Sequence, residues 1–175
     1  VGSEMCIRDR IGTNILIMPL LNPVHVAEDA VTLDLLSGGR YVLGIGVGYR
    51  DAEFQTFNVP LKERAQRMDE SIEIMRRLWT EDKITHAGKS FQIRDLGIGL
   101  KPQRKGGPPI WLAAVVDAAV RRAARIGETW FINPHATIDT IRRQMETYRA
   151  ELKTAGKPAP RELPVVKEVF CARDR

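Results

Sequence analysis

The chain has 175 residues, 43% hydrophobic and 28% charged, which is the composition of a globular protein and a length suited to one domain or part of a larger one. Its net charge of +5 comes from 27 Lys and Arg dispersed among 22 Asp and Glu; Arg64, Arg67, Arg76 and Arg77, for example, sit with Glu63, Asp69, Glu70 and Glu73. That dispersal argues against nucleic acid as a partner, the absence of any apolar run of roughly 20 residues argues against a membrane span, and the two cysteines, Cys6 and Cys171, argue against a disulfide scaffold or a zinc site. A cytoplasmic protein without a metal is the expectation.

The first ten residues, VGSEMCIRDR, have neither strand alternation nor a helical face, and they lack the long apolar core of a signal peptide. They are expected to be a non-native leader, residues 1–10, ahead of a fragment of one domain, residues 11–175.

Residues 11–18 are apolar and β-branched, which predicts a strand buried on both faces. Asn22-Pro23 then supplies an N-cap with proline at the first helical position, and Val24, Ala27, Ala30, Val31 and Leu35 follow at helical spacing. Ser37-Gly38-Gly39 ends that helix. A second buried strand is expected over 41–47, and an irregular loop over 50–61. Ala65, Met68, Ile72, Met75 and Trp79 form the next helical stripe, with Glu63–Arg67 and Glu73–Arg77 as supporting pairs. Residues 80–105 read as an excursion with a small hairpin through Ile84-Thr85 and Phe91-Gln92. A strand over 110–114, a helix over 117–126 with alanines inward, and a strand over 129–132 follow. Ile138, Ile141, Met145, Tyr148 and Leu152 make an amphipathic helix closed by Gly156, and 164–171 reads as a fifth strand.

Five alternations of strand and helix predict an α/β fold of parallel strands. An open doubly wound sheet and a (β/α)8 barrel both satisfy the pattern. A whole barrel needs roughly 250 residues, so this chain would supply about five of its eight units.

Gly44-Ile45-Gly46-Val47-Gly48 departs from a dinucleotide fingerprint, because Tyr49 stands where the third glycine belongs and no helix is expected there. Two readings remain: glycines that permit close packing, or Gly46 and Gly48 letting a flat ligand lie against the main chain. Asp34 and Arg40, flanking the Ser37-Gly38-Gly39 turn, are expected to have a structural role such as an ion pair. Val115-Val116-Asp117 joins a strand to a helix; it fits a phosphate site, and Asp117 equally fits a plain N-cap. Asn133-Pro134-His135 follows a strand end, with Asn133 as N-cap and His135 either a surface residue or a ligand contact. His25 and His86 have no partner pattern and receive no role.

The stretches GTNILIMPLLNPVHVAEDAVTLDLLSGGRYVLGIGVGYRDAEF, NVPLKERAQRMDESIEIMRRLWT and PPIWLAAVVDAAVRRAARIGETWFINPHA resemble the luciferase-like monooxygenase superfamily. The resemblance implies the (β/α)8 barrel and a flavin or deazaflavin at its carboxyl-terminal face. It assigns Thr13, Asn14 and Ile15 to a bulge behind the cofactor ring, with a non-prolyl cis peptide at Asn14–Ile15. It assigns Gly46, Val47, Gly48 and Tyr49 to a second cofactor-contacting strand end, and Val115, Val116 and Asp117 to the phosphate-holding turn. Relatives often carry arginine at the position of Val47 and a small polar residue at the turn, so the two valines offer only main-chain donors. Asn133 and His135 would line the substrate site. The implied activity is oxidation of a small organic substrate with reduced FMN and oxygen. Hydride transfer with the deazaflavin coenzyme F420, or a non-catalytic flavin-binding barrel, are the alternatives. The acid/base residue would lie in early strands absent from this chain, and the parent would be a homodimer.

Overall fold

A computed structural model describes residues 9–166 and residue 171. The leader expected over residues 1–10 therefore lies almost wholly outside the described residues, as do positions 167–170 of the fifth strand. The chain divides into two compact units, one ending at Ile110 and the other beginning at Trp111.

In the first unit, β1 (Ile11–Gly12) and β2 (Leu16–Ile17) both pair in parallel with β3 (Tyr41–Gly46). The strand predicted over 11–18 is thus broken, and a short helical turn takes Met18–Leu20. Nor is it buried on both faces: Ile11 is exposed, because among the described residues β1 pairs only with β3. The break has a simple cause. Gly12 faces Val42 and Leu16 faces Ile45, so residues 13–15 stand opposite residues 43–44, three against two. The extra residue makes a bulge. β3 itself is buried along its whole length.

Asn22 caps α1 (Pro23–Leu36), its side-chain oxygen accepting from Val24 N–H at 2.9 Å, with Pro23 at the first helical position. Ala27, Ala30 and Val31 are buried against α3 (Arg64–Thr80). There Trp79 donates its indole N–H to the carbonyl of Ala27 at 3.1 Å. Leu35 points outward, and Asp34 takes the inward position that the apolar stripe predicted for it. Gly38 and Gly39, at φ 62° and 77°, end the helix as expected. The loop predicted over 50–61 contains a helix, α2 (Asp51–Thr56), which the sequence concealed because only Phe54 on it is buried. One of the two grounds for setting aside a dinucleotide fingerprint is thereby removed; Tyr49 in place of the third glycine is the other. In α3, Arg77 pairs with Glu81 at 2.8 Å rather than with Glu73, and Arg67 donates to the Pro19 carbonyl at 3.0 Å rather than pairing with Glu63. The predicted hairpin is present as β4 (Ile84–Ala87) and β5 (Gln92–Leu96), paired antiparallel.

In the second unit, β6 (Ile110–Ala114) and β7 (Thr129–Ile132) pair in parallel, Trp111 facing Thr129 and Ala114 facing Ile132. Of the fifth strand expected over 164–171, the described residues show a single bridge rather than a strand: Ile132 N–H donates to the Pro164 carbonyl at 3.0 Å, and Val165 bridges Ile132. α4 (Asp117–Ile126) buries Val120, Ala123 and Ala124, and α5 (Ile138–Thr154) buries Gln144, Tyr148 and Leu152. Ile138, predicted on the apolar stripe, is exposed because it sits in the first turn, before the helix meets its neighbours. Asn133 does not cap a helix. Its side chain accepts from His135 N–H at 3.2 Å in a local turn, and Thr137 caps α5 instead.

Asp34 and Arg40 do not form the expected ion pair. Asp34 is fully buried, and its Oδ2 accepts from the N–H groups of Gln103 and Arg104 at 3.0 and 3.3 Å. Arg40 instead donates to the carbonyls of Ser37 and Asp9. Replacing Asp34 by Ala should leave two amides without an acceptor and cost about 2–4 kcal/mol, read as a lower urea midpoint; an unchanged midpoint would show that water satisfies them.

Candidate functional site

The bulge and the end of β3 are the first functional candidates. Thr13 substitutes for the missing ladder partner: its hydroxyl donates to the Gly44 carbonyl at 2.7 Å and accepts from Gly44 N–H at 3.0 Å. A Cβ on Gly44 would lie 2.0 Å from the Thr13 carbonyl oxygen, so only glycine lets the bulge close on β3. The Asn14–Ile15 peptide is cis. Asn14 is exposed, while Thr13 and Ile15 are half-buried. Ile17 is registered against Gly46, so β2 and β3 end together and the chain leaves through Val47, Gly48 and Tyr49. Gly48 has φ 71°, and a Cβ there would lie 2.6 Å from Ile17 and 2.9 Å from Phe54. Close packing within the protein therefore accounts for Gly44 and Gly48. Tyr49 is 77% exposed, with the Arg50 guanidinium 5.8 Å from its ring centroid. The structure thus sets the 13–15 bulge against Gly44, in the middle of β3, and Ile17 against Gly46 and Gly48 at its end.

The second group lies in the other unit. Val115 and Val116 are exposed where β6 ends, and Val116 occupies the N-cap of α4. Asp117 is the first residue of that helix, not its cap. Its Oδ2 accepts from Arg143 Nη1 at 2.6 Å and its Oδ1 from Gln144 Nε2 at 3.2 Å. The Arg143 hydrogen bond, followed by that of Gln144, holds this carboxyl below its usual range. Gln144 also donates to the Val115 carbonyl at 2.8 Å. Asn133 and the exposed His135 leave the end of the neighbouring strand β7.

Arg143 and Gln144 escaped the sequence reading because the stripe of α5 was traced through apolar residues alone. A cluster around Glu70 escaped it too. Glu70 is buried; it accepts from the N–H groups of Ser90 and Phe91 at 3.0 and 2.9 Å, and its Oε1 lies 3.0 Å from His86 Nε2. Glu73 lies 3.8 Å from the other nitrogen of His86. A Cβ on Gly88 would meet Glu70 Oε1 at 1.8 Å, so that glycine admits the carboxylate. Among the described residues no group of three or more His, Cys, Asp or Glu is placed to hold a metal, and no helix is long and apolar enough to cross a membrane.

The strand–helix units and their parallel pairing are those of an α/β fold. The chain belongs to the luciferase-like monooxygenase family, whose model matches residues 8–175. It is 32% identical over 124 residues to the 4-hydroxyprotoasukamycin monooxygenase of Streptomyces nodosus subsp. asukaensis, covering 70% of this chain and 33% of that protein. It is 31% identical over 159 residues to the F420-dependent glucose-6-phosphate dehydrogenase of Amycolatopsis mediterranei, covering 89% of this chain and 45% of that protein. The crystal structure of monooxygenase RslO1 from Streptomyces bottropensis superposes with a TM-score of 0.82 at 25% identity, covering 94% of this chain and 51% of that one. The chain therefore spans about half, or less, of the proteins it matches. The fold is that of luciferase-like TIM-barrel enzymes, and the family is one of oxidoreductases.

Burial raises the Glu70 pKa, but the hydrogen bonds from Ser90, Phe91 and His86 outweigh it and leave the group below its ordinary value of 4.5. A carboxylate with a lowered folded-state pKa stabilises at pH above its unfolded value and loses that contribution as pH falls through the folded value. Exchange protection of the Ser90 and Phe91 amides should therefore be constant near neutrality and fall in acid. Glu70→Gln should speed their exchange about tenfold at neutral pH; unchanged exchange would mean that the carboxylate does not hold the hairpin.

Proposed function

We propose that residues 11–175 are part of a single barrel domain of a flavin-dependent monooxygenase, which uses reduced FMN and oxygen on a small organic substrate in the cytoplasm. The observation that carries this reading is the bulge beside β3: Thr13 clamps Gly44, β2 and β3 end together at Ile17 and Gly46, and Asn14 and Tyr49 are exposed in the segments outside these strands. Exposed residues near the carboxyl end of parallel strands suit a flat ring, since ligands of this fold bind at that end. Arg50 beside Tyr49 adds a cation to that rim. In the first unit Thr13, Asn14, Ile15, Gly46, Val47, Gly48 and Tyr49 would contact the ring; in the second, taken by itself, the N–H groups of the Val115–Asp117 turn would suit a phosphate. Asn133 and His135 would meet the substrate. The flavin supplies the redox chemistry; the chain's residues orient it and exclude water.

A second reading, hydride transfer with coenzyme F420, is favoured by the F420-dependent dehydrogenase among the relatives. Anaerobic fluorescence titration of the full-length protein with FMN and with F420 separates the two. FMN binding without F420 binding is expected, and the reverse result would install the second reading. Binding of neither would end both. Tyr49→Ala should weaken the bound cofactor about tenfold without lowering the melting temperature, as expected for loss of one exposed aromatic contact. An unchanged affinity would remove Tyr49 from the site.

A further inference from the structure

Inside the first unit, a groove of about 360 Å3 separates the start of α1 from β5, lined by residues 22–25 on one side and by residues 91–94 and Leu96 on the other. That volume falls within the range of clefts that hold small molecules. Its apolar lining does not close: Val24, Phe91, Ile93 and Leu96 are only half-buried. Ile93 and Leu96 share one wall because β5 carries an extra residue between them. Ile84 faces Leu96 and His86 faces Ile93, so three steps of β5 match two of β4, and Asp95 takes φ 45°. The walls are also held in place. Asn22 accepts from Val24 N–H at 2.9 Å, and Phe91 is fixed twice, through its N–H to Glu70 at 2.9 Å and through its ring, whose centroid lies 4.9 Å from the Arg67 guanidinium. The charge of the groove is one-sided. Arg94 and His25 are exposed on opposite walls, and neither side chain has a hydrogen-bond or ion-pair partner among the described residues. Among the described residues no acid lines the groove. The acids nearby are engaged elsewhere, Asp95 with Lys83 at 2.7 Å and Glu70 with the hairpin amides and His86.

We propose that this groove is a binding site for a small organic carboxylate with an aromatic body, the carboxylate on Arg94 and the ring against Val24, Phe91 and Ile93. A guanidinium meets a carboxylate through paired N–H donors, and the imidazole of His25 supplies a further donor from the opposite wall. The body of the ligand covers apolar side chains that the protein leaves half open, and an aromatic body adds a ring contact with Phe91. The site is independent of the cofactor reading above, because neither the 13–15 bulge nor residues 46–49 line the groove. The competing account is a water-filled seam between two elements that lie side by side.

The test titrates the full-length protein with phenylacetate and with its neutral amide, phenylacetamide, by saturation-transfer NMR. The two share the ring and differ in charge. Phenylacetate should bind, and phenylacetamide about tenfold more weakly, as expected for loss of a charge-assisted contact. Arg94→Gln should weaken phenylacetate about tenfold and leave phenylacetamide and the melting temperature unchanged, since the side chain is exposed and unpaired. Arg94→Lys should recover part of the loss, because it restores the charge without the fork. Val24→Trp should block both ligands by filling the groove. Saturation with FMN or with F420 should displace neither. No binding of phenylacetate, or binding that ignores both Arg94→Gln and Val24→Trp, overturns the site. Displacement by either cofactor also overturns it, since the ligand would then lie on the cofactor bed. Equal affinity for acid and amide overturns the carboxylate role of Arg94 and the proposal with it. The titration reads affinity without turnover, so a protein that binds neither cofactor but holds phenylacetate in this way ends the cofactor reading and leaves the groove standing.

Discussion

The arrangement of the first unit depends on one mismatch, in which three residues of one strand lie against two of its partner. A parallel ladder cannot absorb an extra residue without losing main-chain partners. Here the loss is made good by a side chain, the Thr13 hydroxyl, which bonds both the carbonyl and the N–H of Gly44. The absence of a side chain on Gly44 lets the Thr13 carbonyl occupy the space. Because the bulge shifts the register by one residue, Ile17 meets Gly46 and the two strands finish side by side. Without it, every following side chain of β2 would face the wrong way.

A second theme recurs in both units: buried polar side chains grip the main chain of distant segments. Asp34 holds residues 103–104, Glu70 holds residues 90–91, and Gln144 holds Val115. Each is nearly or wholly inaccessible to water. Burying such groups costs free energy unless they are hydrogen-bonded, so their partners define where the segments must lie. Elements that are short or poor in apolar residues are placed this way rather than by their own packing.

Local chemistry made much of the fold legible. Asn22-Pro23, Ser37-Gly38-Gly39 and Gly156 mark helix ends where the structure has them, and Ala123 and Ala124 of α4 face inward as expected, whereas Ala118 in its first turn is exposed. The failures have physical causes. The break at 13–15 is invisible in a run of apolar residues because its cause, Gly44, lies 31 residues away. Asn133-Pro134 repeats the dipeptide that caps α1, yet the Asn133 side chain is used within its own turn and Thr137 caps the helix. α2 is too short to show a period. The resemblance to luciferase-like proteins marked the bulge, the end of β3 and the 115–117 turn as candidates. The partners of that turn, Arg143 and Gln144, lie on a helix 26 or more residues further along, where no motif pointed to them.

The clamps at Asp34 and Glu70 share a property with a consequence for the 81–105 excursion. What they hold are peptide N–H groups of Gln103, Arg104, Ser90 and Phe91, which every residue except proline possesses. Lys101 likewise fastens the excursion by donating to the carbonyls of Leu78 and Glu81. Its course is therefore set in large part by anchors that grip main chain, with His86, Gly88 and Lys101 the positions whose own side chain, or lack of one, takes part. Away from those three, sequence drift along β4 and β5 can rewrite the surface of the hairpin while these main-chain anchors stay in place.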